Sequence, residues 1–490
     1  MSEVLVPIVI GGLMLYSATL FFLSGRRRCN TPEPPDDLFF VIVVPCLNEE
    51  LVIKGTLQRL SSLYGADHAV LVVDDGSDDG TGRIVEASSR ERVWLLRREL
   101  PDARLGKGAA LNAAFRYVRS LPEVRARNHD RVILCVLDAD GRLESDVFRK
   151  VGSHFADPKV GAVQIGVRMS NADTSLMTRL QDFEFAIFTQ IFQTARRLVG
   201  SVGLGGNGQF TRLSALESLG DTPWSDSLTE DLDLGLSLLV NGWRNDFCTS
   251  SCVKQQAVTK IGRLIRQRTR WYHGHMQSWR RLPEILGSQL SVKATADLVF
   301  YLTSPIVVLL LSPMIFFFYV TVLALLMASP SDAITMVLDR GFTIALFAYV
   351  LSFGAGPFYA VAYSREEPRY GLLRSVALAH LFCLYAYVWT VAGWSFLFRI
   401  VSRRRSWVKT ERSRDTEVVS PGARSRQEPG REEVGSGSFE RFILAGVPPE
   451  TASRMTISLW KKVCEIYFAS WSRENESTVT SSKAASPSSV

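Results

Sequence analysis

Histidine and cysteine are scarce in this chain, six and seven among 490 residues, and that shortage closes off several classes of protein. The cysteines are scattered, so they outline no disulfide framework. Cys46 and Cys135 lie in strand-like apolar runs, where a thiol behaves as a small hydrophobe, and the set is expected to be reduced and cytosolic. Cys248 and Cys252 have the spacing of a metal pair, but no second Cys or His pair follows at the interval a structural zinc site needs. Charge is also modest, at 21% of residues with a net +7. Its basic part gathers beside apolar segments, as in Arg26, Arg27 and Arg28 or Arg403, Arg404 and Arg405, which favours anionic lipid head groups over nucleic acid. No internal repeat is visible. No positively charged region precedes the first apolar run and no small-residue cleavage site follows it, so residues 4–24 read as an anchor, not a signal peptide.

What is present divides the chain into parts, because single cores stop growing well below 490 residues. Residues 1–30 are expected to be an N-terminal transmembrane anchor, with the arginines on its flank keeping the next domain in the cytoplasm. From 36 to 285, strand runs alternate with helix patterns, which is the signature of an α/β domain. The clearest strands are 39–44, 69–73, 93–96 and 132–137, β-branched runs that suit a parallel sheet buried on both faces. Residues 296–402 hold three apolar stretches, about 298–328, 341–363 and 372–400, each long enough to cross roughly 30 Å of hydrocarbon. Three crossings would leave Arg403 to Arg405 outside, so either one stretch is interfacial or the first is a hairpin broken near Pro313. Residues 403–490 are expected to be a cytoplasmic tail, partly disordered, with amphipathic helix near 439–470.

The chemistry-bearing residues sit at strand ends or in early helix turns, where open α/β sheets bind ligands. Asp74-Asp75-Gly76 places two carboxylates where a buried strand opens into a turn, able to accept hydrogen bonds from a nucleobase or ribose. Asp138-Ala139-Asp140 repeats the pattern. Two carboxylates beside a diphosphate would repel it unless a divalent cation bridged them, which suggests Mg2+ or Mn2+ on Asp138 and Asp140. Thr229-Glu230-Asp231 opens an apolar helix, and Asp231 is placed to take a proton from an attacking hydroxyl, a displacement that inverts the anomeric centre. Gln267-Arg268-Thr269-Arg270-Trp271 puts Arg270 and Trp271 on one helix face with Gln267, suited to a diphosphate and a sugar. Each motif also has a plainer reading as a turn, a cap or a charge on a helix dipole. His273 and His275, two apart on a helix, share no face and read as structural.

In this order, and followed by apolar segments, these motifs resemble the processive family 2 glycosyltransferases, which include cellulose, chitin, mannan and hyaluronan synthases. The resemblance runs from Val43-Val44-Pro45 to Trp407-Val408-Lys409, roughly three quarters of the chain. It implies a GT-A (Rossmann-like) cytoplasmic domain plus an α-helical transmembrane region, and a hexosyltransferase in the inner (plasma) membrane that transfers a hexose or N-acetylhexosamine from a UDP-sugar. Asp74, Asp75, Lys107, Asp138 and Arg270 would then serve the donor, with Asn112 completing the Lys107 element. Asp231 would be the base. Glu230, Gln267, Trp271 and Asn207 would face the acceptor. The expected product is a β-polysaccharide. The run Gly205-Gly206-Asn207-Gly208-Gln209-Phe210 departs from polymerising relatives and resembles the loop of membrane enzymes that add one glucose to diacylglycerol, so a lipid acceptor is the alternative. A membrane transporter or a scaffold without catalysis fits less well, because the polar residues lie outside the apolar stretches.

Overall fold

The computed structural model describes residues 2–25, 32–88, 92–329 and 352–402, with isolated positions between 331 and 350. The arginines at 26–28 and 403–405 and the expected 403–490 tail lie outside the described residues. Seven strands form one sheet in the order β3-β2-β1-β4-β6-β5-β7. They are β1 (Phe39–Cys46), β2 (Asp67–Asp74), β3 (Val93–Arg97), β4 (Val132–Val136), β5 (Val160–Met169), β6 (Gln209–Arg212) and β7 (Arg244–Gln255). The longer helices are α1 (Ser2–Ser24), α2 (Lys107–Ser120), α3 (Leu176–Ile187), α4 (Glu230–Val240), α5 (Ile261–Gln277), α6 (Val292–Ala328), α7 (Gly356–Glu366), α8 (Gly371–Tyr385) and α9 (Tyr387–Val401).

The first four strands pair in parallel, as their continuous apolar runs predict. Alternate residues of these strands fill two separate cores. Phe40, Ile42, Val72 and Ile133 face one side of the sheet, and Phe39, Val41, Leu71 and Leu134 face the other. Each such side chain contributes about 1.5–3 kcal/mol on full burial, which is why a polar residue appears in these runs only where a strand ends. Beyond β4 the sheet contains strands that the sequence reading did not single out, and it becomes mixed. There β6 runs antiparallel to both β4 and β5, while β5 and β7 pair in parallel. The reason is local: the glycine-bearing loop 205–208 delivers the chain to the same sheet edge at which β4 ends, so β6 must run back.

Two segments, Val292–Phe317 and Pro368–Val401, are long and apolar enough to cross a membrane. The N-terminal apolar run forms α1. No hairpin opens near Pro313, because α6 continues through both Pro305 and Pro313. The 372–400 stretch is two helices, α8 and α9, and the 341–363 stretch is described mainly as the first part of α7. Within the unit formed by residues up to Phe396, α6 packs Leu298 and Leu302 against Leu232 and Leu236 of α4. The helix that carries Asp231 therefore lies directly against a segment of membrane-crossing length.

Candidate active site

Chain ends from β1, β2, β4 and β6 meet at one sheet edge. Asp75 donates its backbone N–H to the Cys46 carbonyl at 2.8 Å, and Gly208 donates to Val136 at 2.9 Å. The two carboxylates of the first motif separate in role. Asp74 is fully buried, and its Oδ1 accepts the Ser77 N–H at 2.9 Å, closing the turn. Asp75 is held by Arg98 from the end of β3, and burial raises its carboxyl above the ordinary range. Arg98 carries no motif around it, and sequence reasoning passed over it.

Lys107, the first residue of α2, is the hub. Its Nζ donates to Asp138 Oδ1 at 2.7 Å and to the Gly206 carbonyl at 2.8 Å, with Glu230 Oε1 at 3.9 Å. Gly206 stands close to both: a Cβ on it would lie 3.0 Å from Lys107 Nζ and 3.1 Å from Asp231 Oδ2. Those two contacts bring Asp231 to the same spot, so Lys107, Asp138, Glu230 and Asp231 share one pocket. Asn207 accepts the Asp138 N–H at 3.2 Å and donates to Gln255 at 2.7 Å. Gln164 of β5 fixes this loop, donating to the Asn207 carbonyl at 2.9 Å and accepting the Gly205 N–H at 2.8 Å. Asn112 binds both the N–H and the C=O of Trp224, tying α2 to the loop that leads into Thr229.

Asp140 is 1% exposed, and its Oδ2 accepts the Gln256 N–H at 3.0 Å. Among the described residues, no three His, Cys, Asp or Glu side chains are grouped to hold a metal by themselves. Asp138 and Asp140 offer carboxylate oxygens, the kind of donor that Mg2+ or Mn2+ takes one or two at a time while phosphate and water complete the shell. Asp233 has a different task from its neighbours: both its oxygens accept from Arg281, at 3.0 and 2.9 Å, so it anchors α4.

Arg270 lies on α5 within electrostatic reach of Glu230 and Asp231. Gln267 and Trp271 occupy the same helix, Trp271 against Arg268, Phe185 and Trp389. The helix reaches α4 through Gly274, where a Cβ would lie 2.6 Å from the Thr229 nitrogen. Gly274→Ala therefore has to push α5 off the turn that presents Glu230 and Asp231. We expect a stability loss of about 1–3 kcal/mol and a drop in kcat larger than the drop in donor affinity. Unaltered kcat in the folded variant would show that this contact sets nothing in the site. His275 accepts no site role here; burial lowers its pKa to about 4, and its Nε2 meets the Tyr301 and Leu302 carbonyls.

Burial raises the Asp231 carboxyl above the usual range, against the pull of Lys107 and Arg270. Burial and the Asp231 charge raise Glu230 in the same direction. For Lys107 burial opposes the charge, but Asp138, Glu230 and Asp231 outweigh it and hold the proton. Carboxyls with raised folded pKa values bind more protons folded than unfolded, so they make stability fall as pH rises through those values. For Asp231 in the role of base that the sequence leads one to expect, activity would have the opposite sign, since a base works only when ionised. The acid limb of the pH–rate profile is expected well above the ordinary aspartate value of about 4. A midpoint at that ordinary value would contradict the buried setting of Asp231.

Comparison with known proteins bears on this arrangement. Residues 34–274 match the sequence family described as "Glycosyltransferase like family 2". They are a family 2 glycosyltransferase-like domain. The beta-monoglucosyldiacylglycerol synthase of Synechocystis sp. is 34% identical over 243 residues, covering 49% of this chain and 48% of that protein. The protein of the same name from Trichormus variabilis is 32% identical over 286 residues, covering 57% and 58%. The chain thus matches about half the length of these relatives. Among solved structures, the mannosyltransferase PcManGT from Pyrobaculum calidifontis, in complex with GDP-Man and Mn2+, superposes with a TM-score of 0.50 at 19% identity. That match covers 76% of this chain and 97% of the other. The family 2 domain has the GT-A fold, with its motif residues at the sheet edge where β1, β2, β4 and β6 meet.

Proposed function

We propose that the chain is an integral-membrane, inverting glycosyltransferase that moves one hexose from a UDP-sugar to the hydroxyl of a diacylglycerol-type lipid at the cytoplasmic face. The observation that carries this reading is the meeting of Lys107, Asp138, Glu230 and Asp231 in one pocket whose base-bearing helix packs against a segment of membrane-crossing length. The lipid acceptor is supported by the relatives, both synthases of a glucosyl lipid by name, and by the Gly205–Phe210 loop. The processive polymer reading rests on the same motifs, and neither of these relatives carries a polymer synthase's name.

In this mechanism Asp75 and Arg98 frame the nucleobase end of the donor, and Arg270 offers its guanidinium fork to the diphosphate. Asp138 and Asp140 would hold Mg2+ or Mn2+, a charge that would offset the negative charge of the departing UDP. Asp231 takes the proton of the acceptor hydroxyl as its oxygen bonds to the anomeric carbon and the bond to the β-phosphate oxygen breaks. Attack opposite the leaving group turns an α-linked donor into a β-linked product. Glu230 and Lys107 set the charge around that base. Purified full-length enzyme incubated with radiolabelled UDP-sugars and diacylglycerol should place label in the lipid extract as a single-sugar product. Label in a polymer that stays out of the organic phase would overturn the single-transfer assignment.

A further inference from the structure

The Arg268 side chain is 1% exposed, yet it carries a charge that the donor pocket does not use. It sits among three aromatic rings, with its guanidinium carbon 4.1 Å from the Trp271 centroid, 5.3 Å from Trp389 and 5.7 Å from Phe185. One nitrogen donates to Glu184 Oε2 at 2.7 Å and another to Gln267 Oε1 at 3.2 Å. Glu184 is shared in turn, accepting the Tyr385 hydroxyl at 2.9 Å and the Trp389 indole N–H at 2.6 Å. Tyr385 ends α8 and Trp389 lies in α9, both inside the Pro368–Val401 segment of membrane-crossing length.

We infer that Arg268 and Glu184 are positioning residues for the acceptor, fixing Gln267 and Trp271 of α5 against the α8–α9 helices so that the membrane segment sets the acceptor end of the site. This rests on the glycosyl-transfer reading. The guanidinium has only donors, so the Gln267 atom facing it is the carbonyl oxygen, and the amide NH2 is what Gln267 presents to an incoming hydroxyl. Arg268 stands one turn before Trp271 and covers one face of its indole, which stops the ring from turning. Lysine has neither the planar face nor the fork to reach Glu184, Gln267 and the rings together. The donor groups Asp75, Lys107 and Asp138 make none of these contacts.

The test uses the full chain in lipid nanodiscs, with Arg268→Lys, Glu184→Gln and Trp389→Phe. The first two should raise the acceptor KM or cut transfer by about tenfold to a hundredfold, while UDP affinity and slow hydrolysis of the UDP-sugar by water stay within about twofold of wild type. Trp389→Phe keeps a ring but loses the N–H donor, and should fall between them and wild type. Hydrogen exchange at the amides of residues 267–271 should rise in all three. Transfer, hydrolysis and UDP affinity falling together would overturn the inference, as would unchanged transfer in the folded variants. If wild type glycosylates no lipid, the functional proposal fails, and the exchange result still decides whether Arg268 holds this element.

Discussion

Asp231→Asn should lower kcat by about 10²- to 10⁴-fold, the range that loss of a general base removes, while UDP-sugar affinity changes little. Asparagine keeps the shape of the side chain at the first turn of α4, and its amide oxygen still accepts the Leu232 N–H that Asp231 Oδ1 accepts at 2.8 Å. The fold around the pocket is therefore preserved. What disappears is the proton acceptor. The donor contacts assigned to Asp75, Asp138 and Arg270 lie on other elements, so binding and turnover separate. Steady-state kinetics with UDP titration gives both quantities. Turnover within a few-fold of wild type would remove Asp231 from the mechanism, and equal loss of binding would recast it as a donor residue.

Lys107→Ala is expected to cost about 10²-fold or more in kcat/KM, through two routes that act together. The ammonium bonds Asp138 and the Gly206 carbonyl, so its loss removes one tie on the loop carrying Asn207 as well as the partner of the Asp138 carboxylate. It is also a cation whose charge favours the ionised forms of Glu230 and Asp231, both already raised by burial. Without it those carboxyls climb further, and the acid limb of the pH–rate profile moves to higher pH. Lys107→Arg places a larger, planar group in the space bounded by Gly206 and should recover part of the charge effect but little of the geometry. A kcat/KM within a few-fold of wild type in Lys107→Ala, with an unmoved pH profile, would dismiss the hub.

The first half of the sheet and the acidic residues were legible because buried parallel strands leave an unmistakable record: apolar runs that stop abruptly at a carboxylate. Ala69 to Val73 and Val132 to Leu137 are such runs, and Asp74-Asp75 and Asp138 follow the point where each buried strand opens. The second half was not legible for equally physical reasons. β6 has four residues, Gln209–Arg212, too few to show a period, and β7 reads Arg-Asn-Asp-Phe-Cys-Thr-Ser-Ser-Cys-Val-Lys-Gln with a register shift midway. Which carboxylates face a ligand was legible only in part. Asp74 adjoins Asp75 and Asp233 lies two residues beyond Asp231, but the structure commits them to a turn and to Arg281. The Arg268 cage could not be read at all, since Glu184 and Trp389 are 205 residues apart and carry no local pattern.

The sharpest measurement is the anomeric configuration of the lipid product made by the full-length enzyme from an α-linked UDP-sugar, read by proton NMR. Direct attack assisted by Asp231 requires a β-glycoside, with one sugar on each lipid. An α-glycoside would contradict the account, because retention demands a second displacement that a single base at this position does not provide.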